Sequence, residues 1–141
     1  MSILLARKQK SAILVVSSLF SSFPASGVAV YSGAKQFAQF LGVGLAMELA
    51  EKVDVTVYQA GEVATKLLRK RESLTVISAK KAAECSLRDL GKVDLTNGAM
   101  IHEIIGYVIT WVPLWILQKM FFNISKGILK KVRAKESNKN Q

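Results

Sequence analysis

Disulfide cross-linking, histidine-rich metal sites and an acidic surface are all beyond the means of this chain. It has one cysteine, Cys85, one histidine, His102, and two prolines in 141 residues. A lone cysteine closes no internal disulfide, which points to a reducing compartment for the folded part. His102 has no cysteine or histidine partner at a ligand spacing, so no metal site is expected. Acidic residues number 10 against 20 basic ones, a formal charge of +10. Half of the chain is hydrophobic and 21% is charged, which excludes a disordered tail and allows one domain with a real core. No secretory signal is read, because Met1 leads almost directly into a basic cluster and then a strand.

The positive charge is lumpy. It gathers at Arg7, Lys8 and Lys10, at Lys66, Arg69, Lys70 and Arg71, and at Lys126, Lys130, Lys131, Arg133 and Lys135. Nucleic acid, anionic lipid head groups, and phosphorylated cofactors or thioesters are the partners such patches suit. No aromatic-interleaved basic module marks an RNA-binding surface, so no nucleic-acid partner is expected. The last cluster follows a long apolar stretch, which favours lipid.

"SAILVVSS" (11–18) reads as a strand buried on both faces of a parallel sheet. A loop with Pro24 and Gly27 follows, and from about Val30 to Glu51 the pattern turns helical. That helix is apolar around much of its girth, as if buried on more than one side. "VDVTVYQAG" (53–61) alternates like a strand, and "EVATKLLRKRES" reads as a basic connector or short helix. A helix is expected from about Leu74 to Leu90 with Gly91 as its C-cap, then a turn and a third short strand within "TNGAMIH" (96–102). Strand alternating with helix predicts an α/β fold with a parallel sheet.

Ile104–Phe122 carries Gln118 and Lys119 as its strongly polar side chains. A straight helix of that length would reach about 28 Å, close to the thickness of a bilayer's hydrocarbon core. Pro113 would kink it, and Tyr107, Trp111 and Trp115 suit a membrane interface. Two readings stand: a membrane-associated segment, spanning or interfacial, and a kinked terminal helix that closes a soluble core. Residues from about Ala134 onward read as a disordered polar tail.

The chemistry-bearing pattern lies near the amino terminus. Ser18 closes the first strand at its carboxyl edge, where α/β folds put their ligands, and Tyr31 and Lys35 follow one helical turn apart. A phenol ordinarily ionises near pH 10, and a fixed ammonium about 4 Å away contributes about 4 kcal/mol towards the phenolate at an effective dielectric near 20. Tyr-x-x-x-Lys by itself is a weak signal, since a solvated helix pair gives the same spacing. Its context is sharper: a strand ending Ser-Ser, thirteen residues to Tyr-Ser-Gly-Ala-Lys, a long helix, then a strand ending Ala-Gly before "EVATK".

That assembly resembles the carboxyl-terminal half of the short-chain dehydrogenase/reductase family, from about Ser11 to about Lys131. Within it the chain looks most like the membrane-bound very-long-chain 3-oxoacyl-CoA reductases, the 17β-hydroxysteroid dehydrogenase type 12 group, on "VATK" (63–66), "TNGAMIH" and the Pro-Leu-Trp segment before a basic tail. The resemblance implies half of a Rossmann-like doubly wound parallel sheet, about three strands with helices, plus an apolar C-terminal helical segment. It divides the chain into a partial dehydrogenase domain (1–103), a membrane-associated segment (104–125) and a basic polar tail (126–141).

The resemblance further implies Ser18, Tyr31 and Lys35 as catalytic residues. Tyr31, Lys35, Ala60, Gly61, Val63 and Thr65 would face a nicotinamide cofactor, by resemblance NADPH, with a 3-oxoacyl-CoA, or a related ketone or steroid, as substrate. Gly61 would let the backbone approach the nicotinamide. The implied setting is fatty-acid elongation at the endoplasmic reticulum membrane, catalytic part facing the cytoplasm, with a homodimer through the helix that carries Tyr31. Two positions depart from the family pattern: Val15 stands where asparagine is usual, and Ala60 where proline is usual. Asn138 and Lys139 half match a dilysine retrieval signal.

No glycine-rich turn of the form G-x-x-x-G-x-G precedes Ser11. The family's cofactor-cradling first half is thus missing, and the chain alone is expected to bind cofactor poorly and to be inactive as a truncated form. The alternative is a non-catalytic, membrane-associated remnant or binding protein that keeps the second half of the fold.

Overall fold

A computed structural model describes residues 2–66 and 71–139. A short helix α1 (Ser2–Leu5) leads to strand β1 (Ser11–Ser18), whose partner β2 (Val53–Ala60) runs parallel to it, paired from Ser11 with Val53 to Ser18 with Ala60. The crossover is α2 (Ala29–Leu49). On the other side of β2 lies β5 (Leu95–Thr96), also parallel, so the order is β1-β2-β5 and β2 is central.

The central strand carries the deepest burial. Val53 and Val57 are fully buried and Val55 nearly so, and Ile13, Val15, Ala46, Leu45 and Leu49 pack with Val53 and Val55. β1 is less buried than its apolar run predicts: Ala12 and Val16 are exposed. Among the described residues it pairs on one side only, with β2.

α2 also differs from expectation. It is buried along one narrow strip, Ser32, Gly42 and Ala46, whose small side chains let its axis lie close to the sheet. The large apolar side chains face outward: Val30, Phe37, Phe40, Leu41 and Met47 are all at least half exposed. The girth of apolar residues that reads as all-round burial is a sheet-facing strip of small residues and an open face of large ones.

Residues 62–78 hold two strands that the sequence does not announce. β3 (Glu62–Ala64) and β4 (Val76–Ser78) form a separate parallel pair, Glu62 opposite Val76 and Ala64 opposite Ser78. The expected helix from Leu74 therefore begins later, as α3 (Ala79–Asp89), where the Ser78 hydroxyl accepts from the Lys81 N–H at 3.1 Å. Gly91 follows its C-terminus at φ +75°, the left-handed conformation anticipated there.

The third strand is also displaced. β5 precedes the Asn97–Gly98 turn, and Met100 onward is helical: α4 (Met100–Trp111). Gly98, at φ +75°, turns the chain from sheet into helix rather than from helix into strand.

The apolar stretch is two helices. α4 ends at Val112–Pro113 and α5 (Leu114–Lys139) leaves at a bend of 114°. Among the described residues no single helix is long and apolar enough to cross a membrane. The inside of the elbow closes a second small core, in which Phe23, Ala25 and Leu117 are buried against Phe20, Ile109, Val112 and Phe121. The outside exposes Ile104, Tyr107, Val108 and Trp111 on one stripe of α4, and Trp115 beyond the bend. α5 remains helical through Lys139, across the stretch that reads as a polar tail.

Candidate active site

The register of β1 on β2 assembles the site. Ser18 lies directly opposite Ala60, so the serine and the Ala60–Gly61 turn share the carboxyl edge of the sheet. Ser17 and Ser18 point to opposite faces, as alternate strand residues must. The Ser17 hydroxyl donates to the Lys35 carbonyl at 2.7 Å, tying β1 to α2. The Ser18 hydroxyl accepts from the Phe20 N–H at 3.3 Å and starts a 3-10 turn at Leu19–Ser22.

A buried polar chain holds this edge. Ser21 donates to the Ser18 carbonyl, and the two amide hydrogens of Gln59 reach Ser21 Oγ at 2.8 Å and Gln39 Oε1 at 2.9 Å. Gln59, 5% exposed, thereby fastens the end of β2 to the turn after β1 and to α2. Its position within an alternating strand gives no hint of that role.

Tyr31 and Lys35 lie on the same face of α2. The Lys35 ammonium lies over the Tyr31 ring, 5.8 Å from its centroid, and donates to the Val16 carbonyl at 3.0 Å. Tyr31 remains 46% exposed, with its ring edge-on to Phe20 at 6.3 Å. Phe20 thus connects the two candidates: its N–H donates to Ser18 Oγ and its ring packs on Tyr31. A phenol, an ammonium fixed by a backbone carbonyl and the Ser18 hydroxyl are thus linked through Phe20 and Val16 near the carboxyl edge of β1.

The remaining candidates divide. Ala60 and Gly61 close β2 at this edge, whereas Val63 pairs with Ile77 in the small second sheet and Thr65 is exposed just beyond it. Of the basic residues in the next segment, Lys66 and Arg71 are exposed, and Arg69 and Lys70 lie outside the described residues.

A feature the sequence does not reveal sits beneath Gly61. A Cβ there would stand 2.5–2.7 Å from Cδ2, Cγ and Nε2 of His102. The His102 ring is fully buried and its Nε2 meets the Thr75 carbonyl at 3.1 Å. The absent side chain of Gly61 makes room for this imidazole.

Around the Asn97–Gly98 turn, Glu103 accepts from the Asn97 N–H at 2.6 Å and from its side-chain amide at 2.9 Å. Thr96 Oγ1 lies 2.8 Å from Asp89 and 3.1 Å from Glu103. Arg88 reaches Asp89 and, at 2.9 Å, the Gly98 carbonyl. The hydrogen bond from Arg88 holds the Asp89 carboxyl below the usual aspartate range. Burial, with Cys85 nearby, pushes the Tyr58 phenol up.

A shallow, mostly apolar trough of about 430 Å³ opens where Pro24, Ala25, Ser26 and Ala29 face Gln118, Lys119 and Phe122 of α5. Gly27, at φ +83°, lies against Ser125 of the same helix. α5 therefore covers the loop that joins Ser18 to Tyr31.

The family description "short chain dehydrogenase" matches residues 1–75 of this chain. The chain belongs to the short-chain dehydrogenase family. It is 30% identical over 135 residues to the very-long-chain 3-oxoacyl-CoA reductase of Macaca fascicularis, covering 92% of this chain and 43% of that protein. To the human protein of the same name it is 32% identical over 125 residues, covering 87% and 40%. It thus spans about two fifths of the length of these relatives. A solved 7β-hydroxysteroid dehydrogenase shares the fold, with a TM-score of 0.60 at 19% identity, over 68% of this chain and 39% of that one.

The short-chain dehydrogenases as a family are oxidoreductases that use a nicotinamide cofactor. The donor set at the sheet edge suits one end of such a cofactor. An ammonium has three N–H donors, and the Val16 carbonyl takes one, leaving two for ribose hydroxyls.

Proposed function

We propose that this short-chain dehydrogenase chain carries the proton-donating end of an NADPH-dependent reductase of 3-oxoacyl-CoA thioesters. The observation that carries the reading is the Lys35 ammonium held over the Tyr31 ring beside the strand end that bears Ser18. The names of the relatives supply the substrate class.

When bound, the nicotinamide supplies hydride to the ketone carbon. Tyr31, its ring half exposed, donates the proton that the ketone oxygen takes up. Ser18 turns its hydroxyl hydrogen to the same oxygen and stabilises the charge that builds there, while its lone pair keeps the Phe20 N–H. Lys35 would hold the ribose hydroxyls, its ammonium fixed by the Val16 carbonyl. Ala60 and Gly61 would approach the nicotinamide at the sheet edge, with Val63 and Thr65 reaching it only from the small second sheet and just beyond it. The apolar trough between residues 24–29 and α5 takes the acyl chain, with Lys119 at its rim.

The same reading places the protein at the endoplasmic reticulum membrane with its site facing the cytoplasm. Its support is the aromatic stripe on α4 and the exposed cations Lys126, Lys130, Lys131 and Arg133 of α5, an interfacial arrangement. The open apolar face of α2 supports a homodimer.

The test is NADPH oxidation with 3-oxoacyl-CoA by an intact protein that joins this chain to a cofactor-cradling glycine-rich half, compared with its Ser18→Ala variant. Turnover that falls about 10²–10³-fold in the variant is expected, on the usual worth of one oxyanion-stabilising donor. A protein that reaches lipid vesicles but neither retains NADPH nor reduces the thioester is instead a non-catalytic member of the family.

A further inference from the structure

We propose that His102 is a positioning residue that sets the spacing between the Ala60–Gly61 turn and the start of β4. The inference deepens the reductase reading and rests on it for its functional consequence, because Gly61 and the residues after it are the proposed nicotinamide side. The imidazole touches the chain in two places. Its ring fills the space where a Gly61 side chain would be, and its Nε2 meets the Thr75 carbonyl at 3.1 Å. Gly61 immediately precedes β3 and Thr75 immediately precedes β4, so one side chain spans the beginnings of both paired strands.

The hydrogen-bond chemistry fixes the tautomer. A carbonyl oxygen can only accept, so Nε2 carries the hydrogen. Nδ1 is buried with no hydrogen-bond partner among the described residues. A fully buried polar ring with one nitrogen unused is a costly choice for filling space, when an apolar side chain would fill it without that loss. The Nε2–H bond to Thr75 is what an apolar ring could not provide. His102 is itself held from behind: its own N–H donates to the Ala99 carbonyl at 2.9 Å, and Glu103 clamps the Asn97 turn just ahead of α4. The imidazole is therefore anchored to α4 and offers a fixed edge to the backbone just ahead of both paired strands. It touches no candidate reacting atom and acts through Gly61.

Three variants separate positioning from bulk. His102→Phe keeps a ring and loses the donor, His102→Gln keeps an N–H at a similar reach, and His102→Ala keeps neither. In an intact protein that joins this chain to the cofactor-cradling half, the KM for NADPH is expected to rise about tenfold in His102→Phe, with a smaller change in kcat, and to return to within about threefold in His102→Gln. Trypsin cleavage after Lys66 and Arg71 without cofactor should quicken in His102→Phe and be restored in His102→Gln. Gly61→Ala should unfold at lower temperature, and His102→Ala should relieve that loss in the double variant, a non-additive pair.

A His102→Phe protein with the wild-type KM and cleavage rate overturns the proposal. So does a KM that tracks thermal stability across the three variants regardless of the donor, or an additive Gly61–His102 pair. Proteolysis and the Gly61–His102 coupling need no turnover. If the intact protein reduces no ketone while both behave as expected, the reductase reading fails and the anchoring stands.

Discussion

Gly42 of α2 lies against Val57 of β2 so closely that a Cβ on the glycine would meet Val57 Cγ2 at 2.5 Å and Val15 Cγ2 at 3.2 Å. Helix and sheet approach one another at this point because no side chain on the helix holds them apart. The contact brings the first turns of α2, with Tyr31 and Lys35, down to the end of β1.

Gly42→Ala should therefore destabilise the protein even though alanine favours helix by about 1 kcal/mol. Val57 is fully buried and β-branched, so it cannot turn away, and overpacking of this kind costs about 1–3 kcal/mol. Two residues on, Gly44 faces open space. Gly44→Ala should stabilise by up to about 1 kcal/mol, since only the helix preference remains. Urea denaturation of the two variants checks both signs, and equal shifts would contradict this packing.

Acid should loosen the Asn97–Gly98 turn through Asp89. Its carboxyl is held below the ordinary aspartate range, first by the hydrogen bond from Arg88. A depressed carboxyl contributes stability that is fully present above its unfolded value, about pH 3.9, and is lost as pH falls through the folded one. Asp89→Asn should be less stable at neutral pH, and its stability should fall less steeply below about pH 4. Urea midpoints from neutral to acid pH measure it; parallel curves for the two proteins would remove Asp89 from the acid response.

Lipid binding should depend on the outer face of the elbow. Trp111 and Trp115 are 72% and 66% exposed, and Lys126, Lys130, Lys131 and Arg133 lie further along α5. Replacing both tryptophans by serine should weaken partitioning onto anionic phospholipid vesicles by about tenfold or more, and raised salt should weaken the wild type as well. Flotation with vesicles reads both effects. Unchanged flotation of the double variant would assign the aromatic stripe to another contact.

The range of each signal along the chain decides which features the sequence disclosed and which it hid. β1, α2 and β2 are long enough for a continuous apolar run, a helical period and an alternation to show. β3 and β4 have three residues each and exist because Glu62–Ala64 finds Val76–Ser78, a pairing no local period encodes. The Asn97–Gly98 turn was legible as a turn, but the helix after it was not, because Glu103 and Thr96 enlist the turn as a helix start. Pro113 announced a break, and the burial of Leu117 against Phe23 gave that break its direction. At the candidate site, the spacing of Ser18, Tyr31 and Lys35 was readable, whereas Gln59 and His102 act through contacts distant in the chain.

The most direct measurement is ketone reduction by Tyr31→Phe in an intact protein that joins this chain to the cofactor-cradling half, with NADPH binding monitored in parallel. The phenylalanine ring keeps the packing on Phe20 and the contact with the Lys35 ammonium and removes only the transferable proton. Turnover should fall by about 10²–10⁴-fold with the cofactor still bound. Reduction at the wild-type rate would contradict a proton donated by Tyr31 and, with it, the proposed chemistry.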